Sequence, residues 1–339
     1  MTAVVVRTDA SVAIGLGHTM RCLALLAALE GGRAVHLMAG VPAALEPRLE
    51  RAVLLEAEPG TRADADETVA LARVEAAEWV VVDGYHFDGD YQQRLVDAGL
   101  RVLAFDDHGH AGHYPAQLVL NQNFGADDTP YAHRGPHTRL LLGPRYALLR
   151  EEFRDLPERP VADHAERVLV TLGGSDPDNV STRVLDGIAG VPGPVDVQVL
   201  IGGANPYRPA LEAAASRSPH PVTLIEDARD VAARMQWADV AVAAAGGTAR
   251  ELARAGTPQV SIALADNQRP AAAALAADGL AVVLGWHADV TEAAIARELG
   301  DLLQDRARRA RLAERGRELV DGRGARRVLE AMGLVAVAA

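Results

Sequence analysis

The chemistry in this chain is concentrated at glycine turns that follow apolar runs. In "IGLGHTMR", residues 14–21, Gly15 and Gly17 precede His18, after the run Val4–Val6 and before a helical pattern. The glycines let the backbone bend sharply and approach a ligand closely. His18 is then expected in the first turn of a helix. The helix field there disfavours positive charge, so a neutral imidazole able to take a proton is expected. The alternative is a histidine that caps the helix or touches a phosphate. The segment is not a dinucleotide fingerprint, because Arg21 stands where the third glycine of G-x-G-x-x-G would be. Arg21 either adds positive charge at the site or makes a salt bridge along its own helix.

A second turn, Gly246-Gly247-Thr248, follows the apolar run "ADVAVA" and opens another helix. Backbone N–H groups at such a turn make an anion site suited to a diphosphate. Glu251, one turn on, is placed to accept from ribose hydroxyls, or is simply an acid in the first turn of the helix. Downstream, "ADNQ" carries Asn267 and Gln268, whose amides hold sugar hydroxyls or cap the next helix. A third turn, "LGGSDPDN", offers Gly173, Gly174 and Ser175 to a phosphate or sugar, with Asp176 and Asn179 as candidate helix caps. It lacks the spacing of a nucleophile elbow, which argues against a serine hydrolase.

Two more stretches stand at strand ends. "VVVDGYHFD" places Asp83 and Tyr85 where substrates of parallel sheets bind. "AFDDHGHAGH" gathers Asp106, Asp107, His108, His110 and His113. Its spacing matches no particular metal site, and no metal is expected.

The elements that must position these residues follow a strand–helix rhythm. Apolar runs at 4–6, 34–38, 79–83, 101–105 and 118–120 alternate with amphipathic stretches. The rhythm breaks over the charged, proline-bearing run 150–166, which reads as a linker, and restarts at 167–172, 195–200, 222–225, 238–243, 258–264 and 280–284. From residue 290 the chain reads as helical, with Arg and Glu on solvated faces. This predicts two doubly wound α/β domains, 1–150 and 167–339, joined by a 151–166 linker, with ligands at the carboxyl ends of both sheets and a cleft between them.

Composition narrows the classes. The chain has 339 residues, 49% hydrophobic and only 4% aromatic, so its cores are built mostly from Ala, Leu and Val. Thirty-four basic residues oppose 46 acidic ones, for a formal charge of −12, a poor match for nucleic acid. There is no lysine at all, which rules out Schiff-base, pyridoxal-phosphate and P-loop lysine chemistry. One cysteine, Cys22, excludes an intrachain disulfide and reads as a small apolar helix residue. No uncharged apolar stretch is long enough for a membrane span, and the first residues lack a signal-peptide pattern. A cytoplasmic enzyme without cofactor or obligatory protein partner is expected, acting on a small molecule.

The ordered set "RTDASVAIGLGHTMRCLAL", "VVDGY", "FDD", "LVLNQN", "LLGPRYALLREEF", "LVTLGGSDPDN" and "AAGGTARELARAGTPQVSIALADNQ" resembles one family. It is that of the UDP-2,4-diacetamido-2,4,6-trideoxy-β-L-altropyranose hydrolases of pseudaminic acid biosynthesis. The likeness spans roughly residues 4–285, and "IGxGHxxR" and "GPxYALLREEF" are its most specific parts. The "GGT…E" segment is also similar to the UDP site of the peptidoglycan N-acetylglucosaminyltransferase. The resemblance implies a GT-B fold and metal-free attack of water on the anomeric carbon of a UDP-sugar, with inversion. It implies His18 as the base, Tyr85 and Asn267 near the sugar, Gly246, Gly247 and Thr248 on the diphosphate, and Glu251 on the ribose. Gly17, Arg21 and Gln268 are expected on the sugar side, and Gly173, Gly174 and Ser175 on the nucleotide side. His86 and the His108, His110 and His113 group depart from the family pattern. A GT-B glycosyltransferase using the same kind of donor with an acceptor other than water is the alternative.

Overall fold

The computed structural model describes residues 3–11, 16–29, 31–43, 45–49, 51–174, 176–203 and 205–336. Gly15 and Ser175, both singled out above, lie outside this set. The chain forms two compact units, Met1–Glu151 with Gly322–Ala339, and Glu152–Asp321. Each is a parallel sheet with helices on both faces, as the strand–helix rhythm predicts.

The first unit contains β1 (Ala3–Thr8), β2 (Arg33–Met38), β3 (Ala52–Leu54), β4 (Trp79–Asp83), β5 (Arg101–Phe105), β6 (Leu118–Asn121) and β7 (Arg139–Leu142), in the order β3-β2-β1-β4-β5-β6-β7. Every pairing is parallel. Such strands are covered on both sides, so they read as continuous apolar runs. Val5, Val80, Val82 and Val102 point to α2 (Arg62–Val74) and α3 (Gly89–Asp97). Val4, Val6, Val81 and Leu103 point the other way, to Cys22 and Leu25 of α1 (Gly17–Leu26). Strands β3 and β7 were not expected from the sequence. They are the two edges of the sheet and only three and four residues long, too short to show a pattern.

The second unit contains β8 (Arg167–Thr171), β9 (Asp196–Ile201), β10 (Val222–Glu226), β11 (Val240–Ala244), β12 (Gln259–Ala263) and β13 (Val282–Trp286), ordered β10-β9-β8-β11-β12-β13. Its helices are α4 (Val180–Ile188), α5 (Arg208–Arg217), α6 (Val231–Trp237), α7 (Gly247–Ala255), α8 (Arg269–Ala277), α9 (Glu292–Gln304) and α10 (Arg306–Leu319).

Two boundaries differ from the sequence reading. The last helix, α11 (Gly324–Met332), belongs to the first unit, not to a domain running from 167 to 339. Its stripe of Val328, Leu329 and Met332 is buried against the α1 side of the first sheet, a face that the ten-residue α1 alone leaves partly bare. Gly324 permits this approach, since a Cβ there would lie 2.2 Å from the carbonyl oxygen of Ala147. The expected linker is also no free tether. Arg254 Nη2 donates to the carbonyls of Arg154 and Leu156 at 2.8 and 3.1 Å. The fully buried Arg309 donates to Ala162 O at 2.8 Å, and Arg159 donates to Ala238 O at 2.7 Å. Three arginines thus bind the segment to the rest of the second unit, Arg254 and Arg309 by donating to its carbonyls and Arg159 by donating from it.

Candidate functional site

At the carboxyl end of the first sheet, Asp83 is the last residue of β4 and fully buried. Strand alternation turns it to the α1 face, where one helical turn presents His18 and Arg21 to it. His18 Nδ1 lies 2.6 Å from Asp83 Oδ1. Arg21 forks onto the same carboxylate, Nε to Oδ2 and Nη2 to Oδ1, both at 2.6 Å. Arg21 Nη2 also lies 3.2 Å from His18 Nδ1, but a guanidinium only donates and a carboxylate only accepts. The short contact to Asp83 therefore assigns a proton to Nδ1, so that in the neutral ring Nε2 carries the lone pair.

Burial alone would push the Asp83 carboxyl up. The Arg21 charge and hydrogen bonds, with those of His18, outweigh this and hold it below the usual carboxylate range. Arg21 continues to Asp107, with Nη1 at 2.9 and 3.0 Å from its two oxygens. Asp107 also accepts from Tyr85 OH at 3.2 Å and from Asn123 Nδ2 at 2.9 Å. Of the two readings of Arg21, the structure shows the ion pair, though across to two strand-end carboxylates and not along its own helix. Cys22 is buried in the same core, its Sγ 3.5 Å from Asp83; burial pushes its thiol up, so it stays protonated.

His18 keeps 11% of its side chain exposed, and Tyr85 is 43% exposed. The Tyr85 ring meets that of His18 nearly at right angles, with centres 5.1 Å apart. His108 and His110 flank the same tyrosine at 5.1 and 5.4 Å. His113 is elsewhere, 3.7 Å from Asp90, and His86 contacts Asp9 at 3.0 Å. Among the described residues no three His, Cys, Asp or Glu side chains are grouped to hold a metal ion. Gly17 is the first residue of α1, and a Cβ there would meet nothing within 4 Å.

At the carboxyl end of the second sheet the site is made of backbone. Gly246 is the N-cap of α7, Gly247 its first residue and Thr248 its second. Gln268 arrives from the loop after the neighbouring β12. A Cβ on Gly246 would stand 3.4 Å from its Nε2, while its Oε1 accepts from Leu264 N at 3.0 Å. The Gln268 amide thus braces its own loop and faces the glycine turn; Asn267 beside it is exposed. Glu251 is half-buried in the second turn of α7.

Gly173 adopts φ +94°, a left-handed conformation that favours glycine, at the end of β8 next to β11. Gly174 O accepts from Gly202 N at 3.1 Å. Gly202 and Gly203, after β9, were missed in the sequence, although "LIGG" repeats the same strand–glycine signature. Asp176 and Asn179 serve as helix-end residues: Asp176 accepts from Val180 N and Ser181 N at 3.0 and 2.8 Å, and Asn179 Oδ1 accepts from Thr182 Oγ1 at 2.6 Å.

No known family model matches the chain. The spore coat polysaccharide biosynthesis protein SpsG of Bacillus subtilis is 27% identical over 231 residues, covering 67% of this chain and 68% of that protein. Among solved structures, MurG of Acinetobacter baumannii aligns with TM-score 0.70 and 16% identity over 99% of this chain and 100% of its own. HepE of Anabaena, solved in complex with UDP-glucose, aligns with TM-score 0.64 and 12% identity over 99% and 100%. Among the described residues no helix is long and apolar enough to cross a membrane. The likeness to the altropyranose hydrolases rests on the sequence motifs alone, whereas the two doubly wound units carry the fold: it is of the GT-B type.

Proposed function

We propose that this protein uses a nucleotide-linked amino or acetamido sugar as donor and transfers the glycosyl group to an acceptor hydroxyl. The observation that carries the reading is the His18–Asp83 pair. Its 2.6 Å contact occupies Nδ1 and so leaves Nε2 for the chemistry, on a ring that packs edge-on against the exposed Tyr85. In this reading the acceptor oxygen attacks the anomeric carbon, and its proton passes to His18 Nε2. The bond from the anomeric carbon to the phosphate oxygen breaks, and the electron pair leaves on the nucleoside diphosphate with inversion. Asp83 holds the ring and offsets the charge that His18 gains. Arg21 keeps Asp83 ionised and, with Gly17 at the head of α1, borders the sugar side. The leaving diphosphate needs no acid, because the N–H groups at Gly246, Gly247 and Thr248 can stabilise its charge. Gly173 and Gly174 border the nucleotide, Glu251 takes the ribose, and Asn267 and Gln268 take sugar hydroxyls.

Two comparisons support this reading. SpsG is named for polysaccharide biosynthesis, which favours a carbohydrate acceptor, and HepE was solved with UDP-glucose, which favours UDP. A second reading, water as the acceptor, is favoured by one observation, the "IGxGHxxR" and "GPxYALLREEF" motifs shared with the hydrolase family. Incubating the protein with UDP- and CMP-linked amino sugars and following nucleotide release decides. Release only after a carbohydrate acceptor is added supports transfer, and prompt release of free sugar supports hydrolysis. Tight binding without turnover under both conditions overturns the enzymatic reading.

A further inference from the structure

We propose that His86 is a positioning residue, which pins the turn after β4 to Asp9 and so holds the Tyr85 ring against His18. This rests on the reading of His18 as the base and adds to it the residue that fixes its aromatic neighbour.

His86 directly follows Tyr85, in the turn 84–88 between β4 and α3. Successive side chains of a strand point to opposite faces, and here the alternation carries into the turn. Val81 and Asp83 face α1, and Tyr85 follows them to His18, with ring centres 5.1 Å apart. Val80 and Val82 face α2 and α3, and His86 follows them to Asp9, with Nε2 3.0 Å from Oδ2. The turn is tight: Phe87 N donates to Gly84 O at 3.2 Å, and a Cβ on Gly84 would stand 2.8 Å from His86 Cε1. With one peptide bond between the two residues, a displacement of His86 passes to Tyr85.

Asp9 is a firm post for this pin. It is buried, directly after β1, an interior strand of the first sheet. Its Oδ1 accepts from Ala39 N at 2.7 Å, and its Oδ2 lies 2.7 Å from Arg7 Nη1. Arg7, fully buried within β1, forks onto Asp64 of α2 with Nε and Nη2 both at 2.9 Å. Asp64 also accepts from Tyr91 OH at 3.0 Å and from Gly60 N at 2.8 Å. Burial would push the Asp9 carboxyl up; the hydrogen bonds from His86 and Arg7 outweigh it and hold the group below the usual carboxylate range. An ionised carboxylate only accepts, so His86 Nε2 carries the proton of their contact.

The two partners of Asp9 Oδ2 differ in what they hold. Arg7 lies inside the sheet between two buried carboxylates, and its loss would leave both charges without their guanidinium. His86 sits at the rim with 29% of its side chain exposed, and its loss leaves Asp9 still paired with Arg7. The arginine therefore serves the fold, and the histidine serves the turn. Tyr85 is 43% exposed and takes less of its place from packing than a buried ring does. Its hydroxyl reaches Asp107 at 3.2 Å, while the His86 pin holds its backbone.

The test is a double-mutant cycle of His86→Ala and Tyr85→Ala in the full chain. It is read by turnover of a UDP-linked amino sugar, by calorimetry with UDP, and by the NMR signal of the His18 Hε1 proton, which the ring current of Tyr85 shifts. His86→Ala is expected to lower kcat about five- to tenfold and to leave UDP affinity within about twofold. His86→Gln, whose amide N–H reaches Asp9, is expected to recover most of the loss. In the Tyr85→Ala background, His86→Ala should add less than about twofold, and by NMR it should move the His18 signal in the direction that Tyr85→Ala moves it. Additive losses, no rescue by Gln, a loss of UDP affinity in place of kcat, or an unmoved His18 signal each overturn the assignment. Should the alanine variant fail to fold, His86→Asn, too short to reach Asp9, takes its place in the cycle. If the wild type turns over no donor, the reading of His18 as the base falls, and the NMR comparison alone decides whether His86 holds Tyr85 in place.

Discussion

The carboxyl ends of the two sheets are built of different materials, which suits them to the different tasks proposed for them. In the first unit, ionised side chains meet: Asp83 and Asp107 clamp Arg21, and Asp83 holds His18. In the second, glycine turns meet: Gly173 and Gly174 against Gly202, and Gly246 beside Gln268. A base needs a defined tautomer and a fixed ring, which only paired side chains supply. An anion cradle needs bare backbone N–H groups, which side chains would obstruct. Damage to the first end should therefore appear in the chemical step, and damage to the second in nucleotide binding.

The sharpest way to break this contrast is His18→Ala. It should lower kcat by about 10²–10⁴-fold while leaving nucleotide affinity, read by calorimetry with UDP, unchanged. A loss confined to affinity would place His18 on the nucleotide and sink the base assignment. Asp83→Asn should follow, with kcat down on the order of 10²-fold and KM little changed, because an amide no longer offsets the charge that the imidazole gains. Measuring both variants and the double variant shows whether the pair acts as one unit; fully additive losses would separate them.

Acid sensitivity comes next and belongs to the first sheet. His36 in β2 is buried without side-chain partners, and burial pushes its pKa down from 6.5 to about 4. The folded ring stays neutral where the unfolded one takes a proton. Stability is thus full above pH 6.5 and falls as the pH drops towards 4, by at most about 3 kcal/mol. Carboxylates held low, such as Asp83 and Asp106, add their loss only below the ordinary carboxylate range. Urea unfolding of wild type and His36→Leu between pH 7 and 4.5 should show this slope only in the wild type.

The smallest effects sharpen the second end. Gly202→Ala puts a Cβ 2.5 Å from Gly174 O, backbone against backbone, and should cost about 1–3 kcal/mol in thermal or urea unfolding. Gly246→Ala meets only the flexible end of Gln268 at 3.4 Å, so it should fold normally and raise KM for the donor a few-fold with kcat intact. A kcat loss there would erase the division of labour between the two ends.

Much of this was legible in the sequence because it depends on local pattern. Parallel strands buried on both faces show as apolar runs, and strand–glycine–helix junctions show as turns wherever the glycines stand. That set the two doubly wound units, the placement of His18 in the first turn of α1, and the turns at 173–174 and 246–247. What the sequence left open depends on distance in space. The carboxylates that meet His18 and Arg21, Asp83 for both and Asp107 for Arg21, are brought to them by strands β4 and β5 with β1 alongside. The return of α11 to the first sheet depends on a face that α1 leaves uncovered, and the clamping of 151–166 depends on arginines at 254 and 309. A periodic pattern states which face of an element is apolar, but the neighbour that covers it is chosen only when the whole chain packs. For that reason the place of His18 in the first turn of α1 could be read from its glycine turn, whereas the carboxylate that meets its ring was identified only by the folded sheet.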